Sequence, residues 1–273
     1  MKIVLAIAGS DPTGGAGLQA DLQVIRHFGC HGMGVLTALT IQDTAKVHSV
    51  LPVFPSVVLD QLRCLVRDVS PHAVKIGMLA SDDVVRNVSL GLASIDPDVP
   101  VVVDPILFAS DGTSLLERRA WPALQGIFSR STLVTPNLPE AEALTGVDVS
   151  NRQGCEKAAR VFIEKFECQA VLVKGGHREG APDDLLAVRS FDDQIEGKVD
   201  ISYSWLEGLR IDIPAGPVHG TGCALSSAIA AELAKGSGLA DAVERARSFV
   251  AAALADAQAT GSGAHVLGYS APV

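Results

Sequence analysis

The chain alternates short unbroken apolar runs with longer stretches in which apolar positions recur at helical spacing. Ile3–Ala8 is apolar throughout and stops at Gly9, as a buried strand does. Gly9-Ser10-Asp11-Pro12-Thr13-Gly14-Gly15-Ala16-Gly17 reads as a loop, and a helix is expected from about Ala16 to His27. A second strand is expected over Met33–Leu39, a helix started by proline from Pro55 to about Asp68, and a third strand over Val74–Gly77. Ser81 is placed to cap a helix over Asp82–Ala93.

Pro100-Val101-Val102-Val103-Asp104-Pro105 is the clearest buried strand: β-branched, then halted by an acid and a proline. Further helices are expected over Glu117–Phe128, Pro139–Thr145 and Gly154–Phe166, with strands over Leu133–Pro136 and Ala170–Lys174. Leu185–Val188 and roughly Gly208–Ile213 read as edge strands, while 191–206 is polar and gives no clear period. A turn at 220–223 leads into a helix to about Lys235, and a last helix covers Leu239–Ala257. The tail Gly261–Val273 has no periodic pattern. Strands alternating with helices predict an α/β fold with a parallel sheet covered on both faces and ligands beyond the carboxyl ends of its strands. No repeat or linker interrupts the chain, so one domain over 1–273 is expected.

Composition narrows the function. Hydrophobic residues make up 48 % of the 273 and aromatic residues only 4 %, which predicts a core of Ala, Val, Leu and Ile. The net charge of −9 opposes general nucleic-acid binding but leaves room for an anionic substrate at a local site. Five cysteines, at 30, 64, 155, 168 and 223, form no C-x-x-C pair, which argues against a disulfide framework or zinc site and suits a reducing cytosol. No apolar stretch approaches the ~20 residues that span a bilayer. The run after Met1-Lys2 is too short for a signal peptide, so a soluble cytoplasmic protein is expected.

The stretch Val218-His219-Gly220-Thr221-Gly222-Cys223-Ala224 carries the first chemical signal. Gly220 and Gly222 permit a tight turn against a ligand, and the following helix start favours an anion. Cys223 lies at that helix start, where a thiol is expected to lose its proton more easily. Asp104 ends a buried strand, where it can cap a helix or stand near a metal. Asn137 and Glu140 are three apart and can form a helix cap or an outer-shell Mg²⁺ site working through water. Lys174, at another strand end, suits a phosphate or a solvated rim. Asp21 and Gln42 lie near the ends of the first two βα units and can fix a polar ligand or serve as caps. Met78 is most simply core, and the seven histidines show no ligand spacing.

Several stretches together resemble the hydroxymethylpyrimidine/phosphomethylpyrimidine kinases of thiamine biosynthesis. They are Gly9–Asp21, Thr37–Thr44, Val74–Leu79, Val103-Asp104-Pro105, Thr135–Glu142, Leu172–His177 and His219–Cys223, in order to about residue 258. The resemblance implies a ribokinase-like three-layer sandwich, ATP and Mg²⁺ as cofactors, and a homodimer. It implies transfer of the γ-phosphoryl group of ATP to 4-amino-5-hydroxymethyl-2-methylpyrimidine and then to its monophosphate. By the same resemblance Gln42 holds the aminopyrimidine edge, with Asp21 close by. Met78 and Ile106 pack on the ring, and Gly9 and Ala16 let it approach the backbone. Asp104, Asn137 and Glu140 organise Mg²⁺ and its waters, and Lys174 and Asn137 face the nucleotide. Gly220, Thr221 and Gly222 form the anion hole, Thr221 also facing the nucleotide, and Cys223 takes the hydroxymethyl proton.

The chain departs from the family pattern in the lid, where Ile106-Leu107-Phe108-Ala109-Ser110-Asp111 replaces a run such as Met-Val-Ala-Lys, and at Pro217-Val218 in place of Asn-Thr. The nearest alternative is a pyridoxal or pyridoxine kinase, although the dual-cysteine type has a second Cys in the lid and 106–114 has none. A non-catalytic pyrimidine sensor is a second alternative. A nicotinamide oxidoreductase is disfavoured because Gly14–Gly17 does not match G-x-G-x-x-G.

Overall fold

Apolar runs and helical periods resolve into the following elements in a computed structural model, which describes residues 1–176, 182–191, 199–208 and 216–269. In chain order they begin β1 (Ile3–Ala8), α1 (Gly17–His27), β2 (His31–Leu36), β3 (Ala38–Gln42), β4 (Val47–Pro52), α2 (Pro55–Asp68), β5 (Ala73–Ile76), α3 (Asp82–Leu92) and β6 (Val101–Val103). A 3₁₀ turn (Arg118–Ala120) then precedes α4 (Trp121–Phe128), β7 (Leu133–Val134), α5 (Leu138–Thr145), α6 (Arg152–Glu164) and β8 (Ala170–Val173). The remainder is β9 (Asp184–Phe191), β10 (Val199–Leu206), β11 (Val218–His219), α7 (Thr221–Lys235), α8 (Leu239–Ala255) and β12 (His265–Val266).

Contacts divide these elements into two units, Met1–Ala123 with Ile211–Val273, and Leu124–Arg210. In the first, four parallel strands lie in the order β6-β5-β1-β2. β1, β5 and β6 are almost wholly buried, which is why they read as near-continuous apolar runs, whereas β2 is mostly half-buried. Helices α1 and α7 pack together and against the sheet, α8 lies along α7, and α2 packs on α3. Ser81 caps α3 as expected, its side chain accepting the Val84 N–H.

The expected strand Met33–Leu39 is in fact two. β2 stays in the sheet; at Thr37 the chain turns out, held by Thr37 N–H to the Ala8 carbonyl and Thr37 Oγ–H to the Met78 carbonyl. β3 then pairs with β4 in a separate antiparallel hairpin. The tail is also ordered further than its sequence suggests: β12 pairs in parallel with β11, and Gly263 and Ala264 donate to Thr44 at the hairpin tip.

In the second unit β7 and β8 run parallel, and β9 and β10 extend them antiparallel. β10 falls in the stretch that gave no clear period. Its Trp205 Nε1–H donates to Glu156 of α6 at 3.0 Å, and the Arg152 guanidinium stacks over the same ring. The strand expected over 208–213 lies, beyond Gly208, outside the described residues.

Candidate active site

The loop after β1 is built on Asp11. This buried carboxylate accepts the Thr13 N–H (2.9 Å) and Oγ–H (2.8 Å) and the Ala16 N–H (2.8 Å), so it folds 11–16 around itself. Burial alone would raise its pKa; hydrogen bonds from His219 and Thr13 hold it below the usual carboxylate value. The loop delivers Gly9 and Ala16, both buried, to the edge of the first unit's site. A Cβ on Gly9 would sit 3.0 Å from Met78 Sδ, so a side chain there would press on that sulfur. Met78 in turn belongs to one apolar cluster with Ala38, Ala80, Val50, Leu115 and Ile106. Met78 and Ile106, predicted as ring-packing residues, are therefore neighbours.

Gln42 ends β3 and is half-buried. Its Nε2 lies 3.2 Å from His219 Nε2, and its Oε1 lies 3.3 Å from Thr40 Oγ1. His219 Nε2 is also 3.1 Å from Asp11 Oδ2. The hairpin, the first loop and the strand preceding the cradle thus meet at one imidazole.

Gly220 opens α7 with φ +85°, and a Cβ there would fall 1.8 Å from the Gly15 carbonyl oxygen. Both facts require glycine. The cradle rests on the Gly15-Ala16 backbone, and the first-turn N–H groups of Thr221, Gly222 and Cys223 have no intrahelical acceptor to use. Those donors and the helix dipole favour an anion over 220–223.

Cys223 is buried, and the structure reverses one expectation about it. Its thiol is pushed up to about 11 by burial, with Asp21 and Asp104 adding to the rise. Lys75 and the Gly17 N–H oppose it. The helix start does not outweigh removal of the sulfur from water.

Lys75 carried no assignment in the sequence, yet it organises the floor of this site. It is wholly buried, and its Nζ lies 2.7 Å from both oxygens of Asp21. Ser227 Oγ–H completes the group at 2.8 Å from Asp21 Oδ1. Burial disfavours the Lys75 charge, but the Asp21 carboxylate holds its pKa above the ordinary lysine value. For Asp21 burial pulls upward while Lys75 and Ser227 pull downward. Three donors on two carboxylate oxygens make the ion pair the state of this couple. Asp21, expected beside the substrate, is fully buried, and both its oxygens are bonded to Lys75. The available signal was a charged residue inside Ala73–Ile76, a strand buried at every position.

Asp104 follows β6 and is buried, its N–H donating to the Ile76 carbonyl. In the loop that follows, Ala109 N–H donates to Thr113 O, and Asp111 accepts from Thr113 N–H and Val47 N–H.

The second unit holds the other predicted residues together. Asn137 and Glu140 form a capping box on α5: Asn137 Oδ1 accepts the Glu140 N–H and Glu140 Oε2 accepts the Asn137 N–H, each at 2.9 Å. The strand bridge between Asn137 and Lys174 sets that cap beside the end of β8. Among the described residues no three His, Cys, Asp or Glu side chains cluster closely enough to cage an ion. A sparse set of hard oxygen donors suits Mg²⁺, which keeps several waters and relies on substrate phosphates.

A parallel-sheet unit with a glycine cradle at a strand-to-helix turn narrows the possibilities, and comparison with known proteins decides among them. The phosphomethylpyrimidine kinase family matches residues 11–267. The chain belongs to that family. It is 36 % identical over 257 residues to the hydroxymethylpyrimidine/phosphomethylpyrimidine kinase of Staphylococcus aureus, covering 91 % of this chain and 86 % of that protein. It is 39 % identical over 261 residues to the thiamine biosynthesis bifunctional protein ThiED of Geobacter sulfurreducens, covering 95 % of this chain and 50 % of that longer protein. The ADP complex of Bacillus subtilis pyridoxal kinase superposes with a TM-score of 0.83 at 29 % identity, covering 99 % of this chain and 98 % of that one. The expected ribokinase-like α/β class is that of the phosphomethylpyrimidine kinase family, and the chain is a kinase of it.

Proposed function

We propose that this chain phosphorylates 4-amino-5-hydroxymethyl-2-methylpyrimidine with ATP, and then its monophosphate, for thiamine diphosphate synthesis. The supporting observation is the convergence within one unit of an apolar slot, a side-chain amide and an anion cradle. Gly9, Met78 and Ile106 form the slot, Gln42 presents the amide, and Gly220–Cys223 form the cradle. A flat heteroaromatic ring with a polar edge and a hydroxymethyl arm fits that set.

The hydroxymethyl oxygen forms a bond to the γ-phosphorus, and the bond from that phosphorus to the bridging oxygen of ADP breaks. The hydroxymethyl proton passes to Cys223 Sγ in its thiolate form. Such a transfer asks for alignment and charge neutralisation more than covalent work. The 220–223 N–H groups meet developing phosphoryl charge. Mg²⁺ would supply further neutralisation when bound; in the first unit Asp104 is the residue proposed for its waters, and in the second unit the Asn137–Glu140 pair offers oxygen donors of the same kind. Lys174, beside Asn137, provides a point charge for nucleotide phosphate.

The family match runs across both units, which supports one kinase domain. All five cysteines are free, which supports a cytoplasmic location, and no described helix is long and apolar enough to cross a membrane. A homodimer is supported by an exposed apolar face on the β3–β4 hairpin. The likeness to a pyridoxal kinase favours one second reading, pyridoxal phosphorylation.

The deciding experiment measures ATP turnover with the pyrimidine alcohol and with pyridoxal, resolving mono- and diphosphate products. Higher kcat/KM on the pyrimidine, with both products formed, is the expected result. A pyridoxal preference selects the second reading, and ligand binding without ADP formation rejects both.

A further inference from the structure

His219 and Asp11 lie outside the roles assigned above, yet they touch Gln42, and a count of protons at this junction constrains the substrate. Asp11 accepts from Thr13 N–H, Thr13 Oγ–H and Ala16 N–H, so it is an ionised acceptor. His219 Nε2, 3.1 Å from Asp11 Oδ2, must then carry a proton and donate it. This holds whether the imidazole is neutral or charged. The Gln42 Nε2 placed 3.2 Å from the same nitrogen therefore sets one donor against another. At the other end of the amide, Thr40 Oγ has one proton, which goes to the Ser10 carbonyl at 2.8 Å, so Gln42 Oε1 at the longer 3.3 Å faces mainly an oxygen lone pair. Exchanging the amide oxygen and nitrogen, which are nearly equal in size, resolves both conflicts at once. The one His219 Nε2–H is then shared between Asp11 Oδ2 at 3.1 Å and the Gln42 oxygen at 3.2 Å in a three-centre bond, and the Gln42 nitrogen donates to Thr40 Oγ.

We infer that His219, held by Asp11, is a specificity-determining positioning residue that latches the Gln42 amide with its oxygen toward the cradle and its nitrogen toward Thr40. This rests on the proposed contact between Gln42 and the aminopyrimidine edge. A latched amide offers one lone pair and one N–H in a fixed order. The exocyclic amino group must meet Oε1 on the His219 side, and the adjacent ring nitrogen must meet Nε2 on the Thr40 side. The hydroxymethyl group is attached to the ring carbon next to the amino-bearing one, so this order turns it toward His219 and the Gly220 cradle that follows. The reverse amide order would turn it away. His219 thereby converts recognition of a polar edge into alignment of the reacting oxygen.

The test compares 4-amino-5-hydroxymethyl-2-methylpyrimidine with its analogue lacking the 4-amino group, in wild type, His219→Leu, Thr40→Val and Gln42→Ala. In wild type the amino group is expected to raise kcat/KM by about tenfold or more, the worth of one well-made hydrogen bond in a desolvated site. Gln42→Ala should bring the ratio near one. His219→Leu should reduce it at least threefold, mainly through KM for the amino substrate, with ADP affinity unchanged, and Thr40→Val should move it in the same direction. His219→Gln, which restores a donor to Asp11, should recover part of the ratio. If Gln42→Ala lowers the ratio while His219→Leu and Thr40→Val leave it at the wild-type value, the latch is overturned and the role of Gln42 stands. If Gln42→Ala itself leaves the ratio unchanged, the proposed edge contact fails, and the latch with it. Should His219→Leu not fold, Thr40→Val decides alone.

Discussion

A thiolate at Cys223 has to form beside Asp21 and Asp104, whose charges oppose it, in a place where burial already favours the neutral thiol. Lys75 and the Gly17 N–H work in the other direction but leave the value at about 11. If Cys223 accepts the hydroxymethyl proton, the active form is deprotonated and scarce near neutrality. The single-turnover rate should then rise with pH from 7 upward, log rate against pH approaching a slope of one below about 11. Cys223→Ala should lower that rate by about 10²–10⁴-fold, the usual contribution of a positioned base. It should also remove the slope and leave ADP affinity unchanged. A near-normal rate in Cys223→Ala, or a pH profile shared with wild type, removes the cysteine from proton transfer. The family resemblance pointed to this residue; its pKa direction was not legible, because a helix start is visible in a sequence and the depth of burial is not.

One buried ion pair joins three elements: Lys75 from β5, Asp21 from α1 and Ser227 from α7, the helix that carries the cradle. Removing one partner strands a charge away from water. Lys75→Met should therefore cost about 3–5 kcal/mol, read from the denaturant midpoint. The double variant Lys75→Met/Asp21→Leu should recover most of that loss, since no charge is then left alone. Equal losses in the single and double variants would show that packing around Lys75, and not its charge, holds the elements. The same strand shows what a sequence does and does not disclose. Apolar runs such as Ile3–Ala8 and Val101–Val103 announced the sheet because both faces are covered. β4, Val-His-Ser-Val-Leu-Pro, keeps no clean alternation, and β12 is too short for any period to appear. β10 does alternate Ile201, Tyr203 and Trp205 with polar residues, a signal that could have placed it. In the site, glycine-rich and Pro-Asn-Leu-Pro-Glu stretches were visible. The partnerships of Lys75, Asp11 and His219 were not, because they join positions far apart in the chain.

At the scale of the whole molecule, the hairpin that supplies Gln42 presents a surface that a single copy leaves uncovered. Leu39 and Ile41 project from the same side of β3, and Leu51 is the cross-strand partner of Leu39, so the three share a face. Leu39 is 48 %, Ile41 56 % and Leu51 50 % exposed, and Phe54, just beyond the hairpin, is 80 % exposed. Scattered apolar side chains on a surface need no partner, but several on one hairpin face mark an interaction site. A second copy related by a two-fold axis would set this face against itself, as self-complementary dimer interfaces do. Sedimentation velocity should give the dimer mass at micromolar concentration for wild type and the monomer mass for Ile41→Glu/Leu51→Lys. Because β3 also positions Gln42, loss of the dimer should raise KM for the pyrimidine more than it raises KM for ATP. A wild-type chain that sediments as a monomer across the concentration range would assign the face to another partner. A variant that stays dimeric would move the interface elsewhere on the molecule.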